Sequence, residues 1–288
     1  MREHYTVIEL CQAMGLSSSG YYRWRTGRVG LRQQHNQQLV AEMERIHSDR
    51  HTRCYGSPRM TVELNERGFC CSVNRVARLM NHNGLRARQR RSYRPKTTRQ
   101  DPQSMPAPNR LAKAPDPTGP GQLLVSDITY IATRQGWLYL AVVIDLFGRV
   151  VQGYKIAESL ATSLVVSALQ QTSNQVGSFH KTLFHSDRGC QYTSYQLREI
   201  ITKLGWTQSM SALGYCYDNA VCESFFASLK KECFPEKGVF NTKQEARLAI
   251  FDYLETFYNK RRRHSSLGYL SPEAFLQKHF QNQNHNLN

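Results

Sequence analysis

The chain contains no apolar run near the roughly 20 residues that a membrane-spanning helix requires, and its first ten residues lack the apolar stretch of a signal peptide. Those two absences predict a cytoplasmic protein. Paired cysteine is missing as well. The eight cysteines (Cys11, Cys54, Cys70, Cys71, Cys190, Cys216, Cys222 and Cys233) include no C-x-x-C and sit in no small secreted frame, so no disulfides are expected. His47 and His51 lie four apart upstream of Cys70 and Cys71, but adjacent cysteines make awkward tetrahedral ligands and no zinc is expected there. Negative charge is the scarcest feature. Across 288 residues, 22 Asp and Glu face 38 Lys and Arg, for a formal net charge of +16. An excess of that size favours a polyanionic partner, because clustered basic side chains gain affinity by releasing counterions condensed on phosphates.

The shortage is uneven. Residues 1–120 carry 21 basic against 9 acidic side chains, and residues 121–288 carry 17 against 13. A chain of this length accommodates one core plus a smaller module, and the charge puts the binding module in front. There, residues 5–24 read as a helix, a turn centred on Gly15 and a second helix, with Val7, Leu10, Cys11 and Met14 spaced for one buried face. Another helix is predicted over 36–48, where Leu39, Met43 and Ile46 share a face. Ser57 then reads as the cap of a helix opened by Pro58 and broken by Gly68, and Ser72 as the cap of one ending at Asn83 and Gly84. Two short helices joined by a tight turn fit a helix-turn-helix at about 57–84 that presents Asn74, Arg75 and Arg78 to DNA. An ordinary helical hairpin fits the same letters. Residues 86–99 hold seven positive charges, Arg86, Arg88, Arg90 and Arg91 among them, with no acid. Such a run is either a solvated arm or one laid along phosphates. Six of the ten prolines fall within residues 101–120 and mark a linker.

Beyond the linker the pattern changes. Residues 123–131, 137–144 and 150–156 are β-prone, the last two runs joined by a turn around Asp145, Phe147 and Gly148. A helix over 159–172, a short strand at 183–185, a helix over 193–204, a strand at 206–209 and a helix over 218–232 follow. The order βββαβαβ predicts an α/β fold: a ribonuclease H-like mixed sheet with flanking helices, preceded by an all-α region. The expected plan is a helical, basic DNA-binding region over 1–100, a Pro-rich linker over 101–120, a catalytic core over 121–235 and a helical extension over 236–288. In the extension Thr242 and Glu245 form a capping box for a helix whose Ile250, Leu254, Phe257 and Tyr258 share a face, and Ser271-Pro272-Glu273 opens a last helix. Between them Arg261, Arg262 and Arg263 form either a phosphate clamp or an exposed basic turn.

Three acidic residues stand out within this frame. Asp127 interrupts the first strand, where a charged side chain has no reason to sit unless paired or bound to metal. Asp187 follows the fourth strand in HSDRG, at the carboxyl end where such sheets place functional groups. Glu223 lies on the helix after the last strand. With the first and fourth strands adjacent, the three converge at one edge of the sheet. Such a cluster repels itself without cations, and hard oxygen ligands suit Mg²⁺ or Mn²⁺. Two ions roughly 4 Å apart would activate the attacking oxygen and stabilise the leaving one in an in-line phosphodiester displacement.

The spacing of Asp127, Asp187 and Glu223, with 35 residues between the last two, resembles the D-D-E signature of retroviral integrases and insertion-sequence transposases. HSDRGCQYTS, GYCYDNAVCESFFASLKKE and YNKRRRHSSLGYLSP resemble segments of the second-reading-frame catalytic protein of the copy-out, paste-in insertion-sequence group. That family carries a basic residue seven positions after its glutamate, here Lys230. Seven residues at about 100° each return to within about 20° of the starting face, so Lys230 shares a side with Glu223; a solvated helix lysine is the other reading. Asp218 reads as the cap of that helix, and Arg188 as a further phosphate contact.

The resemblance implies a bacterial transposase that binds the terminal inverted repeats of its element. It would free a 3′-hydroxyl by metal-assisted hydrolysis, with Mg²⁺ or Mn²⁺ on Asp127, Asp187 and Glu223, and direct that hydroxyl at a second phosphodiester. It further implies a homo-oligomer in a synaptic complex, target DNA as a second partner, and fusion by frameshifting to an upstream helix-turn-helix and leucine-zipper product. The chain itself shows no sustained heptads. Two rival classes share part of the pattern, a metal-dependent nuclease that cuts without joining and a DNA-binding regulator with a degenerate core.

Overall fold

The computed structural model describes residues 5–27, 29–88, 106–176, 181–212 and 219–285. It divides into two compact units, Met1–Ala87 and Arg88–Asn288.

The first unit is helical. Thr6 and Glu9 cap each other reciprocally at the start of α1 (Val7–Ala13), and Gly15, at a φ of +63°, turns the chain toward α2 (Ser18–Thr26). The expected buried face on this hairpin forms only in part: Cys11 is buried and Val7 and Leu10 are half-buried, but Met14 is 72% exposed. The small core of the unit lies further along. Leu39, Met43 and Ile46 of α3 (Leu31–Ser48) meet Met60 and Leu64 of α4 (Ser57–Glu66) and Val76, Leu79 and Met80 of α5 (Val73–His82). Gly56 occupies the cap position of α4, so Ser57 is not the cap; its carbonyl already accepts a bond from the Thr61 hydroxyl within the helix. Ser72 caps α5 by accepting from the Arg75 amide.

The second unit is built on five strands, β1 (Leu123–Thr133), β2 (Gly136–Asp145), β3 (Val151–Ala157), β4 (Leu183–Ser186) and β5 (Thr207–Met210), in the order β3-β2-β1-β4-β5. The first three are antiparallel, and β4 and β5 run parallel to β1. The parallel pairs require crossovers, which α6 (Thr162–Val176) and α7 (Tyr195–Lys203) provide. Ser194, expected inside α7, instead caps it by accepting from the Leu197 amide. Leu124, Ala141, Val143 and Phe184 of the sheet pack against Leu164, Val165, Leu169, Leu197 and Ile201 of these two helices. This is the mixed α/β sheet that the strand pattern predicted.

The proline-rich stretch is not a bare spacer over its described part, residues 106–120. The Arg110 and Leu111 amides donate to Ser209 Oγ at 2.9 and 3.2 Å, and Ala107 packs on the sheet core. After β5 come α8 (Ala220–Glu232) and α9 (Lys243–Asp252), then a π-helical turn over Tyr253–Tyr258 and finally α10 (Pro272–His285). Thr242 accepts from the Glu245 amide, while the Glu245 carboxylate reaches back to the Asn241 amide and not to that of Thr242. Among the described residues no helix is long and apolar enough to cross a membrane.

Gly153 fixes the separation of β3 from α6. A Cβ there would stand 2.3 Å from the Ala168 carbonyl oxygen, which belongs to the helix backbone. Gly153→Ala is therefore expected to destabilise the protein by about 2–3 kcal/mol through overpacking. Equilibrium urea unfolding measures it, and an unchanged midpoint would mean that strand and helix have room to separate.

Candidate active site

Strand register brings the first two carboxylates together. β1 and β4 pair in parallel with Ser126 opposite Ser186. Asp127 within β1 and Asp187 just past the end of β4 each stand one residue beyond that pair, on neighbouring strands about 5 Å apart. Asp127 is half-buried, and one of its oxygens accepts from the Ile128 amide at 2.7 Å. Burial, and then the charge of Asp187, push the Asp127 carboxyl up to about 8; Glu223 adds to the rise, and the Ile128 amide and Lys230 oppose it. Asp187 is also raised by burial, against a 3.0 Å hydrogen bond donated by the Gly189 amide.

Glu223 lies in the first turn of α8 on its exposed side, and Lys230 is half-buried two turns on. Both act electrostatically on Asp127, Glu223 more weakly than Asp187 does. The buried side of α8 carries Cys222, whose thiol is raised by burial and then by Asp127 and Asp187. Asp218 lies outside the described residues, and Asn219 occupies the cap position without a side-chain bond.

Three further groups support this edge. Tyr192 is 1% exposed, shares a 2.9 Å hydrogen bond with Ser126 and has its phenol raised well above the ordinary value, by burial first and then by Asp127 and Asp187. His185 sits buried between Ser209 and Ser211 at 2.9 and 3.1 Å, linking the ends of β4 and β5. Gly189 leaves open a space that a Cβ would fill at 3.1 Å from Asp187 Oδ1 and 3.3 Å from Gln191 Oε1. The residues within GCQYTS were legible only as part of a motif. Their partners lie on other strands, and no spacing rule in the sequence points to them.

The donor chemistry fits a hard divalent cation: oxygen ligands only, two of them half-buried, the charge of Asp187 raising Asp127, beside a space lined by carboxylate and amide oxygens. Among the described residues no three His, Cys, Asp or Glu side chains form a closed metal-holding cluster. Asp127 and Asp187 stand close together at this edge, and Glu223 is exposed on α8. Away from this edge, His47 meets the Arg86 carbonyl at 3.0 Å, and Cys71 lies against Asn65.

The structure sorts the expected DNA contacts. Asn74, Arg78, Arg86 and Arg261 are exposed. Arg75 is not presented outward: its Nε and Nη2 donate to Asn36 Oδ1 on α3 at 3.1 and 2.7 Å. Arg188 donates to the Ser211 carbonyl at 2.7 Å and is half-buried, as is Arg88. Arg90 and Arg91 lie outside the described residues. Arg262 and Arg263 correct the basic-turn expectation most clearly, being 4% and 9% exposed. Arg262 is paired with Glu232, and Arg263 donates to the Tyr269 carbonyl. Neither reaches solvent as a clamp on phosphate must.

Residues 117–216 and 204–272 match two family profiles, each described as an integrase core domain, and residues 34–93 match one described as an HTH-like domain. The chain is 40% identical over 276 residues to the uncharacterized 31 kDa protein of insertion element IS600 from Shigella sonnei, covering 94% of this chain and 99% of that protein. It is 37% identical over 277 residues to transposase InsF of insertion sequence IS3A from Escherichia coli (strain K12), covering 95% of each. A magnesium-bound catalytic core domain of HTLV-2 integrase overlays loosely, at 13% identity and a TM-score of 0.39, over 55% of this chain and 98% of that one.

A carboxyl whose folded pKa lies above its unfolded value stabilises the fold in full below about pH 4, and that contribution is lost as pH rises through the folded value. For Asp127 that upper limit is about 8. The metal-free protein should therefore weaken between these limits. Asp127→Asn should remove much of that slope and raise the melting temperature at pH 9 by roughly 3–6 °C. A variant melting with the wild-type pH slope would refute the strained carboxyl.

Proposed function

Because the chain belongs to the insertion-sequence transposases of the IS3 family, we propose that Asp127, Asp187 and Glu223 form a D-D-E triad. With it the protein cleaves DNA at the ends of its element and joins the freed strand to a second phosphodiester. The observation that carries this reading is the β1–β4 register, which sets two half-buried carboxylates on neighbouring strands where burial opposes ionisation of both and the charge of Asp187 opposes that of Asp127. A site built that way is completed by positive charge from outside.

Mg²⁺ or Mn²⁺ is the fitting ion, held by Asp127, Asp187 and Glu223. When bound, such ions supply Lewis acidity for in-line phosphodiester displacement. The chain's own residues do the rest. Tyr192 and Ser126 hold the floor beneath the two aspartates. Gly189 keeps that space open beside Asp187 while its amide fixes one carboxylate oxygen. Lys230, on the same helix side as Glu223, steers a DNA phosphate toward the carboxylates. Exposed Asn74, Arg78 and Arg86 of the HTH-like region contact the terminal inverted repeats, and Arg261 contacts DNA at the core. The working form is a cytoplasmic homo-oligomer that joins element ends to target DNA, fused by frameshifting to an upstream helix-turn-helix and leucine-zipper product.

A strand-transfer assay with pre-cleaved element ends tests the triad. Asp127→Asn, Asp187→Asn and Glu223→Gln should each abolish joining while end binding persists, and full activity in any one of them would sink the assignment. Cutting without joining by the wild type would make the protein a nuclease. Lys230→Ala should weaken end binding or slow joining; no change in either returns Lys230 to a solvated helix lysine.

A further inference from the structure

Arg262 is a deeply engaged cation of the second unit, 4% exposed, and the triad has no direct use for it. Its Nε donates to Glu232 Oε2 at 2.7 Å and its Nη2 to Glu232 Oε1 at 2.8 Å, a bidentate pair with both partners buried. Nη2 also reaches Ser228 Oγ at 3.0 Å, and Nη1 lies 3.1 Å from Nε2 of His264. The Tyr253 hydroxyl donates to Glu232 at 2.7 Å. Tyr258 presents its ring to the guanidinium at 5.7 Å and to Phe225 of α8 edge-on at 4.9 Å. The segment after α9 thus grips α8 through directional bonds at two positions one turn apart, Ser228 and Glu232.

Where that grip falls on the helix matters. At about 100° per residue, Ser228 and Glu232 lie about 140° and 180° around the axis from Glu223, while Lys230 lies within about 20° of it. Phe225, Phe226 and Leu229 fill the buried arc. Apolar packing is non-directional and tolerates a small roll of the helix. A roll of about 20° would swing a carboxylate some 6 Å from the axis by roughly 2 Å, and misplacement by about 1 Å can cost around a hundredfold in rate. The ion pair on the opposite flank removes that freedom.

We propose that Glu232 and Arg262 are positioning residues, a buried brace that sets the rotation of α8 and thereby the placement of Glu223 and Lys230 at the candidate active site. The proposal rests on the triad reading. Replacing both charges by apolar side chains of similar size often leaves stability unchanged or improved, so Glu232→Met with Arg262→Met separates fold from placement. This double variant should melt no lower than wild type and, with Asn74, Arg78 and Arg86 of the HTH-like region untouched, still bind element ends. At saturating DNA its joining rate should fall by about tenfold or more, and direct Mn²⁺ binding, followed by electron paramagnetic resonance, should weaken severalfold. Wild-type joining and Mn²⁺ binding in the folded double variant would overturn the brace. Should that variant fail to fold, Arg262→Lys decides: it keeps the charge but loses the fork, and a wild-type joining rate in it would equally overturn the proposal. Glu223→Gln, assayed in parallel, keeps the two readings apart. If it joins normally the triad reading fails, whereas an inactive Glu223→Gln beside a fully active double variant removes the brace alone.

Discussion

Two carboxylates held side by side at the junction of an antiparallel and a parallel strand pair are the constraint on which this protein turns. Parallel pairing of β1 with β4 is possible only through long crossovers, and once Ser126 faces Ser186 the next residue on each strand is an aspartate. No side-chain choice can then separate Asp127 from Asp187. Burial raises both carboxyls, and the charge of Asp187 raises Asp127 further, so forcing both to ionise strains this edge. A core stable enough to bear that strain has to lie beneath it, and the sheet residues packed on α6 and α7 provide one.

The surroundings of the pair follow from the same constraint. Tyr192 and Cys222 place protonated, neutral groups behind the aspartates, adding no further negative charge to the buried side. Gly189 adds an amide donor without adding bulk. Glu223 and Lys230 come from α8, Glu223 exposed and Lys230 half-buried two turns on.

The two units divide the basic charge differently. In the first, Asn74, Arg78 and Arg86 remain outward while Arg75 is drawn inward by Asn36. In the second, a run of three consecutive arginines divides into one exposed and two buried side chains. Arg262 pairs with Glu232, the one glutamate of α8 that is buried. Counting charges therefore overstates the surface available to phosphate. The sign of the net charge still points to a polyanion.

Strand order, the hairpin turns and the position of Asp127 within a β-prone run were legible in the letters, because alternation and turn chemistry are local and repeat every few residues. The pairing of Asp127 with Asp187 was also within reach, since topology rules leave few ways to arrange three antiparallel strands and two crossovers. Local pattern could not decide which caps are used, as at Gly56 and Ser194, because a cap depends on which backbone amides are left open once the helix has formed. Nor could it tell an exposed arginine from a buried one in YNKRRRH, where the outcome depends on a glutamate 30 residues earlier in the chain. The sequence by itself determined the fold class and the acidic residues available to it. Only the tertiary structure decided which basic side chains are paired and buried, because that depends on contacts between residues far apart in the chain, as between Arg262 and Glu232 or Arg75 and Asn36.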